Sequence, residues 1–104
     1  MLKKKNRLSA SCFKAKYSEH KRNRLFSVKI KPNGLAFSRF GIVITKTTEK
    51  RAAARNRLRR TIYRLLREKK FDLVIAQDVI IFVHSEALRA SKNSLGFALS
   101  ELLA

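Results

Sequence analysis

The sequence predicts a single α+β domain over residues 1–104, with elements in the order α-β-β-α-β-α and a further strand allowed beside the first two. Three observations carry this. Residues 24–31 and 36–46 alternate apolar and polar side chains, as half-buried strands do. Residues 49–70 repeat their apolar positions at helical spacing. Residues 78–84, "DVIIFVH", form an apolar run suited to a strand inside the sheet. With 104 residues, 45% of them hydrophobic, the chain can fill one core but not two.

The first element is a short helix through "CFKAKY", capped by Ser9 or Ser11, which sets Phe13 and Tyr17 four apart on one face. In the first strand, "RLFSVKIK", Phe26, Val28 and Ile30 point one way and Leu25, Ser27, Lys29 and Lys31 the other. "KPNGL" reads as a three-residue hairpin loop with Gly34 in the left-handed position. The second strand, "AFSRFGIVITK", places Phe40, Ile42 and Ile44 on one face. A hairpin pairing Lys31 with Leu35 sets Phe26 opposite Phe40, so the apolar faces coincide. On the other face it sets Lys29 opposite Phe37 and Ser27 opposite Arg39.

A long helix follows, capped by Thr47 or Thr48, starting near Glu49 and fading near Lys69. Leu58, Ile62, Leu65 and Leu66, with Ala54, make its apolar stripe; Asn56, Arg57, Arg60, Arg64 and Arg67 lie opposite, and Arg55 and Arg59 flank it. The last helix, within "LRASKNSLGFALSELLA", turns Leu88, Leu95, Leu99 and Leu102 inward.

Charge points to the partner. The net charge is +18, and it is unevenly placed: residues 1–70 hold 23 of the 25 Lys and Arg and three acids, residues 71–104 two bases and four acids. A loaded face of this kind fits a polyanion, with nucleic acid favoured. One cysteine, Cys12, excludes an internal disulfide and fits a reducing compartment. No apolar run approaches the roughly 18 residues that cross a bilayer, and "MLKKKNRLSA" lacks the apolar stretch a signal peptide needs. A cytoplasmic protein without a membrane partner is expected, and no obligate protein partner is implied.

Catalytic groups are sparse. His20 and His84 are far apart in sequence, the seven acids are scattered, and Gly34, Gly41 and Gly96 form no phosphate loop. No catalytic residue and no protein-held metal are expected. The basic stretch is the distinctive feature: "RAAARNRLRR", residues 51–60, contains five arginines. Guanidinium donates two parallel hydrogen bonds to phosphate and stays charged, and arginines three and four apart form a row that can follow a strand. A merely solvated face would carry acids at helical spacing, whereas only Glu49 and Glu68 bracket this stretch. Asn56 offers donor and acceptor together, to a base edge, a ribose hydroxyl or a neighbouring arginine.

"ARNRLRRTIYRLLRE" resembles the signature helix of the bacterial ribonuclease P protein component, and "LKKKNRLSASCFKAKY" resembles that family's opening. The resemblance implies a two-layer α/β sandwich with a left-handed strand–helix–strand crossover, against the usual rule. It implies an accessory subunit of an endoribonuclease: a catalytic RNA, with magnesium bound mainly by that RNA, removes the 5′ leader of precursor tRNA. Arg51, Arg55, Asn56, Arg57, Arg59, Arg60, Arg64 and Arg67, with Lys4 and Arg7, would then engage the catalytic RNA. Phe13, Tyr17, Ser27, Lys29, Phe37 and Arg39 would line a cleft for the leader, where unpaired bases stack on rings. Where the family tends to hold a cleft aromatic this chain has Lys29, and the hairpin register offers Phe37 as the replacement ring. Before the signature helix, "TKTTEKRA" is one residue longer than the family's usual segment and lacks its glycine.

Three rivals remain. A ribosomal or other structural RNA-binding protein shares the size and charge. A DNA-binding module would need helix-turn-helix spacing that is not evident, and a membrane-surface helix would want large aromatics on the apolar face of residues 51–70.

Overall fold

The computed structural model describes residues 4–8, 17–69, 71 and 77–103. A 3₁₀ turn at Lys4–Asn6 precedes strands β1 (Glu19–Arg22), β2 (Phe26–Pro32) and β3 (Arg39–Val43). Helix α1 (Ala52–Glu68), strand β4 (Gln77–Val83), a 3₁₀ turn (Ser85–Arg89) and helix α2 (Lys92–Leu103) follow. The expected first helix lies outside the described residues, apart from Tyr17.

The four strands form one sheet in the order β1-β2-β4-β3. Its centre belongs to the most apolar strand: Asp78, Val79, Ile80 and Ile81 of β4 are all buried, and β2 and β3 flank it on both edges. This corrects the expected hairpin. β4 lies between β2 and β3, antiparallel to the first and parallel to the second. The faces were nonetheless assigned correctly, since Phe26, Val28, Ile30, Phe40, Ile42 and Ile44 are all in the core. Coincidence of apolar faces tests only the parity of two strands. It is satisfied equally by immediate neighbours and by strands with a third between them.

The connection from β2 to β3 therefore spans two inter-strand spacings, about 10 Å, which residues 33–38 cover with slack. Gly34 does adopt the left-handed conformation, at φ 68°. Asn33 anchors the crossing: its Oδ1 accepts from the Leu35 amide at 2.8 Å, and its Nδ2 donates to the Phe37 carbonyl and to Asp78 Oδ1. A Cβ added at Gly34 would meet nothing within 4 Å, so only backbone strain opposes a side chain there. Gly34→Ala should cost about 1–2 kcal/mol in urea unfolding, and Gly34→Asn less, because asparagine tolerates that conformation.

α1 crosses from β3 to the parallel β4 and buries Ile62, Tyr63, Leu65 and Leu66 against the sheet. Ile62 and Leu66 are fully buried, which stabilises by about 1.5–3 kcal/mol per side chain. Leu58 is partly buried at the edge of this core, and Tyr63 joins the buried face unannounced by the leucine stripe. The helix starts three residues later than expected, with Arg51 at the N-cap and no side-chain cap. Thr45 and Thr48 close a turn of their own instead: the Thr48 amide donates to Thr45 Oγ1. Arg55 secures the start of the helix by donating to the Glu49 and Lys50 carbonyls at 2.8 and 2.9 Å.

α2 packs Leu95, Ala98, Leu99 and Leu102 into the same layer. Leu88 falls in the preceding 3₁₀ turn and is half-buried; Ala87 takes the inward place. Both helices thus cover one face of the sheet. The other face carries Ser27, Lys29 and Lys31 of β2, Ile80 and Phe82 of β4, and His20 and Arg22 of β1, as the strand registers require.

Candidate nucleic-acid interface

Because α1 is fastened to the core by one side, its other side is presented as a rigid row. Asn56, Arg57, Arg60, Arg64 and Arg67 are all exposed, and Arg55 and Arg59 are half-buried at its flanks, as the helical spacing requires. Among the described residues, Arg57, Arg60 and Arg64 have no partner for their guanidinium groups. The other arginines have local work. Arg55 holds the loop carbonyls. Arg59 donates to Asn56 Oδ1 at 2.8 Å, so the neighbouring arginine is what the amide oxygen serves, and the Asn56 amino group points free of that bond. Arg51 is paired with Glu49 at 3.1 Å. The side-chain hydrogen bond from Arg51 holds the Glu49 carboxyl below the usual carboxylate range.

Arg7 joins this row from the N-terminal segment. Its backbone bridges to Phe40, and its side chain lines a groove with Asn56, Arg57, Arg59, Arg60 and Tyr63. Burial pushes the Tyr63 hydroxyl pKa up, while the charges of Arg59 and Arg7 oppose that shift. Asn6, beside Arg7, is buried and donates to the Ser38 carbonyl at 2.8 Å, which fixes the segment against the sheet edge. Of the other predicted residue in this segment, Lys4, the backbone lies in the 3₁₀ turn.

A second concave surface lies along β1 and β2, lined by His20, Lys21, Arg22, Ser27, Val28, Lys29 and Phe82; of these His20, Arg22, Ser27, Lys29 and Phe82 belong to the outer face of the sheet. Here the expected pairings need correction. Ser27 lies opposite Phe82, and Lys29 opposite Ile80 and His20, rather than opposite Arg39 and Phe37. The ring beside Lys29 is Phe82, with the ammonium 5.4 Å from its centroid. Phe37 stands before β3, two strands away, where its ring carries Lys5 at 5.1 Å. Tyr17 lies beside β2, with the Lys31 ammonium 5.3 Å from its ring. Phe13 lies outside the described residues. Arg39 reaches Asp78 through two hydrogen bonds, 2.8 and 2.7 Å, so its charge is compensated within the sheet.

Ser27 is fixed by its neighbour. Its Oγ is 2.7 Å from His84 Nε2, and His84 Nδ1 is 3.1 Å from the Arg24 carbonyl. A carbonyl can only accept, so Nδ1 carries the proton in the neutral ring and Ser27 donates to Nε2. The hydroxyl then turns its lone pairs outward.

The expected register did not bring Phe82, His20 and Arg22 beside Ser27 and Lys29, because the strands that flank β2 are β1 and β4. Alternation within "DVIIFVH" would have put Phe82 on the outer face once β4 was placed beside β2.

The family model described as Ribonuclease P matches residues 2–104. The ribonuclease P protein component of Azoarcus sp. (strain BH72) is 32% identical over 81 residues, covering 78% of this chain and 67% of the relative. The fold superposes on the RNase P protein of Thermotoga maritima with a TM-score of 0.74 at 27% identity, covering 82% of this chain and 80% of that one. Against the RNase P protein of Staphylococcus aureus the TM-score is 0.82 at 24% identity, covering 94% and 92% of the two chains, a likeness of fold.

Proposed function

Because the chain belongs to the ribonuclease P protein family, whose general role is in tRNA processing, we propose that α1 docks on a catalytic RNA and that this RNA performs the hydrolysis. The outer face of the sheet then takes the 5′ leader of precursor tRNA. The observation that carries the reading is the row of Arg57, Arg60 and Arg64, exposed and unpartnered among the described residues on a helix that cannot turn away. Close like charges repel, and a phosphate strand relieves that repulsion.

Magnesium belongs with the RNA in this scheme. An arginine row repels a divalent cation while attracting its phosphate ligands. The protein's part is to lower repulsion between catalytic RNA and substrate, so that less magnesium is needed. The working place of such a subunit is the cytoplasm.

The test is cleavage of a 5′-extended precursor at low magnesium by the cognate RNA, with and without the protein. Stimulation at the mature 5′ end is expected. No stimulation, or cleavage by the protein without RNA, would overturn the proposal.

For the leader, Phe82 is the stacking ring and Lys29 and Arg22 are the phosphate contacts. Base stacking on an aromatic side chain contributes roughly 1–3 kcal/mol. Phe82→Ala should therefore weaken binding of leader-bearing precursor by about 5–150-fold relative to mature tRNA. Phe37→Ala should leave that ratio unchanged, and the reverse pattern would return the cleft to Phe37.

A further inference from the structure

Residues 71–104 contain two basic side chains, Arg89 and Lys92. The fold brings both to one place. They line a groove between α1 and the segment joining β4 to α2, facing Arg51 and Arg57, over a floor that includes Leu58 and Thr61. Four cations from two distant stretches of sequence thus converge beside α1, on a flank distinct from the one shared with Arg7. Arg57 lines both grooves, so the two surfaces are continuous around the helix.

The geometry points to a second RNA track in this groove, where Arg57, Arg89 and Lys92 take the phosphodiester backbone of the same catalytic RNA that α1 engages. The inference rests on the docking reading above and extends it to residues outside the signature helix. Arg89 is exposed and, among the described residues, has no ion-pair partner. Lys92 meets Glu68 at 3.5 Å, with both side chains about half exposed, a contact weak enough to yield to phosphate. Arg51 is held by Glu49 and sets the rim. The half-buried Leu58 and the Thr61 hydroxyl, which donates to the Arg57 carbonyl at 3.1 Å, give the groove an uncharged floor on which a sugar can rest. The catalytic RNA is the favoured occupant because the groove continues the α1 row, while the leader surface lies on the opposite face of the sheet.

The experiment is a binding titration of the full-length protein against the catalytic RNA over a salt series. Three proteins are compared: wild type, Arg89→Ala/Lys92→Ala and Arg60→Ala/Arg64→Ala. The first double variant should bind roughly tenfold more weakly, with a slope of log K against log salt smaller by about 1–2, one contact being worth ~0.7–0.9. Its preference for leader-bearing over mature tRNA should stay as in wild type. Arg89→Gln, at an exposed and unpaired position, keeps the test valid if the double variant melts early; it should reduce the slope by up to about 0.9. Unchanged affinity and slope in the Arg89/Lys92 variants, with loss in the Arg60/Arg64 variant, would overturn the second track alone. Unchanged binding in all variants would overturn the docking reading as well. Loss of leader preference with intact RNA affinity would assign the groove to the precursor and reject the occupant argued here.

Discussion

Replacing Arg57, Arg60 and Arg64 together by alanine is expected to lower affinity for the catalytic RNA by about 10²–10³-fold at moderate salt. These three guanidinium groups stand exposed on one side of α1, without partners among the described residues. They are available to phosphate without first breaking an internal bond, and each charge-assisted contact contributes on the order of 1 kcal/mol net. The fold should survive, since the opposite side of the helix holds Ile62, Leu65 and Leu66 in the core and none of the three arginines takes part. Removing like charges from one face should even raise the melting temperature slightly. The loss must be electrostatic in kind: the slope of log K against log salt should shrink by about 2–3. A triple-lysine variant keeps the charge but not the two-pronged geometry, and should recover only part of the affinity.

The second large effect concerns stability. Asp78→Ala should destabilise the domain by about 3–5 kcal/mol, the cost of leaving a partner charge unmatched in a buried pair. Asp78 has a side-chain exposure of 2%, and it bonds Arg39 on β3 and Asn33 in the crossing loop. One carboxylate therefore ties β4 to its parallel neighbour and to the connection that passes over the sheet end. A domain of this size has roughly 5–15 kcal/mol in hand, so the variant should lose a large share of its stability and melt at a clearly lower temperature. Burial by itself raises the Asp78 pKa, but hydrogen bonds from Arg39 and Asn33 outweigh it and hold the carboxyl below its ordinary 3.8. A depressed native pKa contributes stability that is present above the unfolded value and lost as pH falls through the native one. Wild type should thus lose stability below about pH 4 more steeply than Asp78→Asn. Urea unfolding of both across that range measures the difference, and parallel curves would show that Asp78 is not ionised in the native state.

Much of this was legible in the residue pattern. The row Asn56, Arg57, Arg60, Arg64 emerged on the exposed side of α1 because 3.6-residue periodicity is local information. The inward faces of β2 and β3 were right for the same reason, since alternation belongs to each strand separately. Strand order was not local. That β4 divides β2 from β3 depends on which strand needs a neighbour on both edges, and on Asp78 finding Arg39 and Asn33, residues 39 and 45 positions away. The pairing that set Phe37 opposite Lys29 is absent from the sheet, and the ring beside Lys29, Phe82, sits in a run read only as apolar. Arg51 and Arg55 show a different limit. Arginine type marked them for RNA, and it gives no sign of the bonds by which they close the start of the helix through Glu49 and the loop carbonyls. Arg89 and Lys92 could not be joined to the basic face from sequence, because only the packing of the Ser85–Lys92 segment against α1 brings them there.

The most direct measurement is cleavage of the catalytic RNA by a hydroxyl-radical source tethered to a single cysteine, with native Cys12 replaced by serine. Tethered through Arg60→Cys on the exposed side of α1, the source should cut the catalytic RNA in discrete clusters. Tethered through Phe97→Cys, exposed on α2, it should leave that RNA essentially uncut. Equal cutting from both positions, or cutting from position 97 alone, would contradict the placement of RNA along α1.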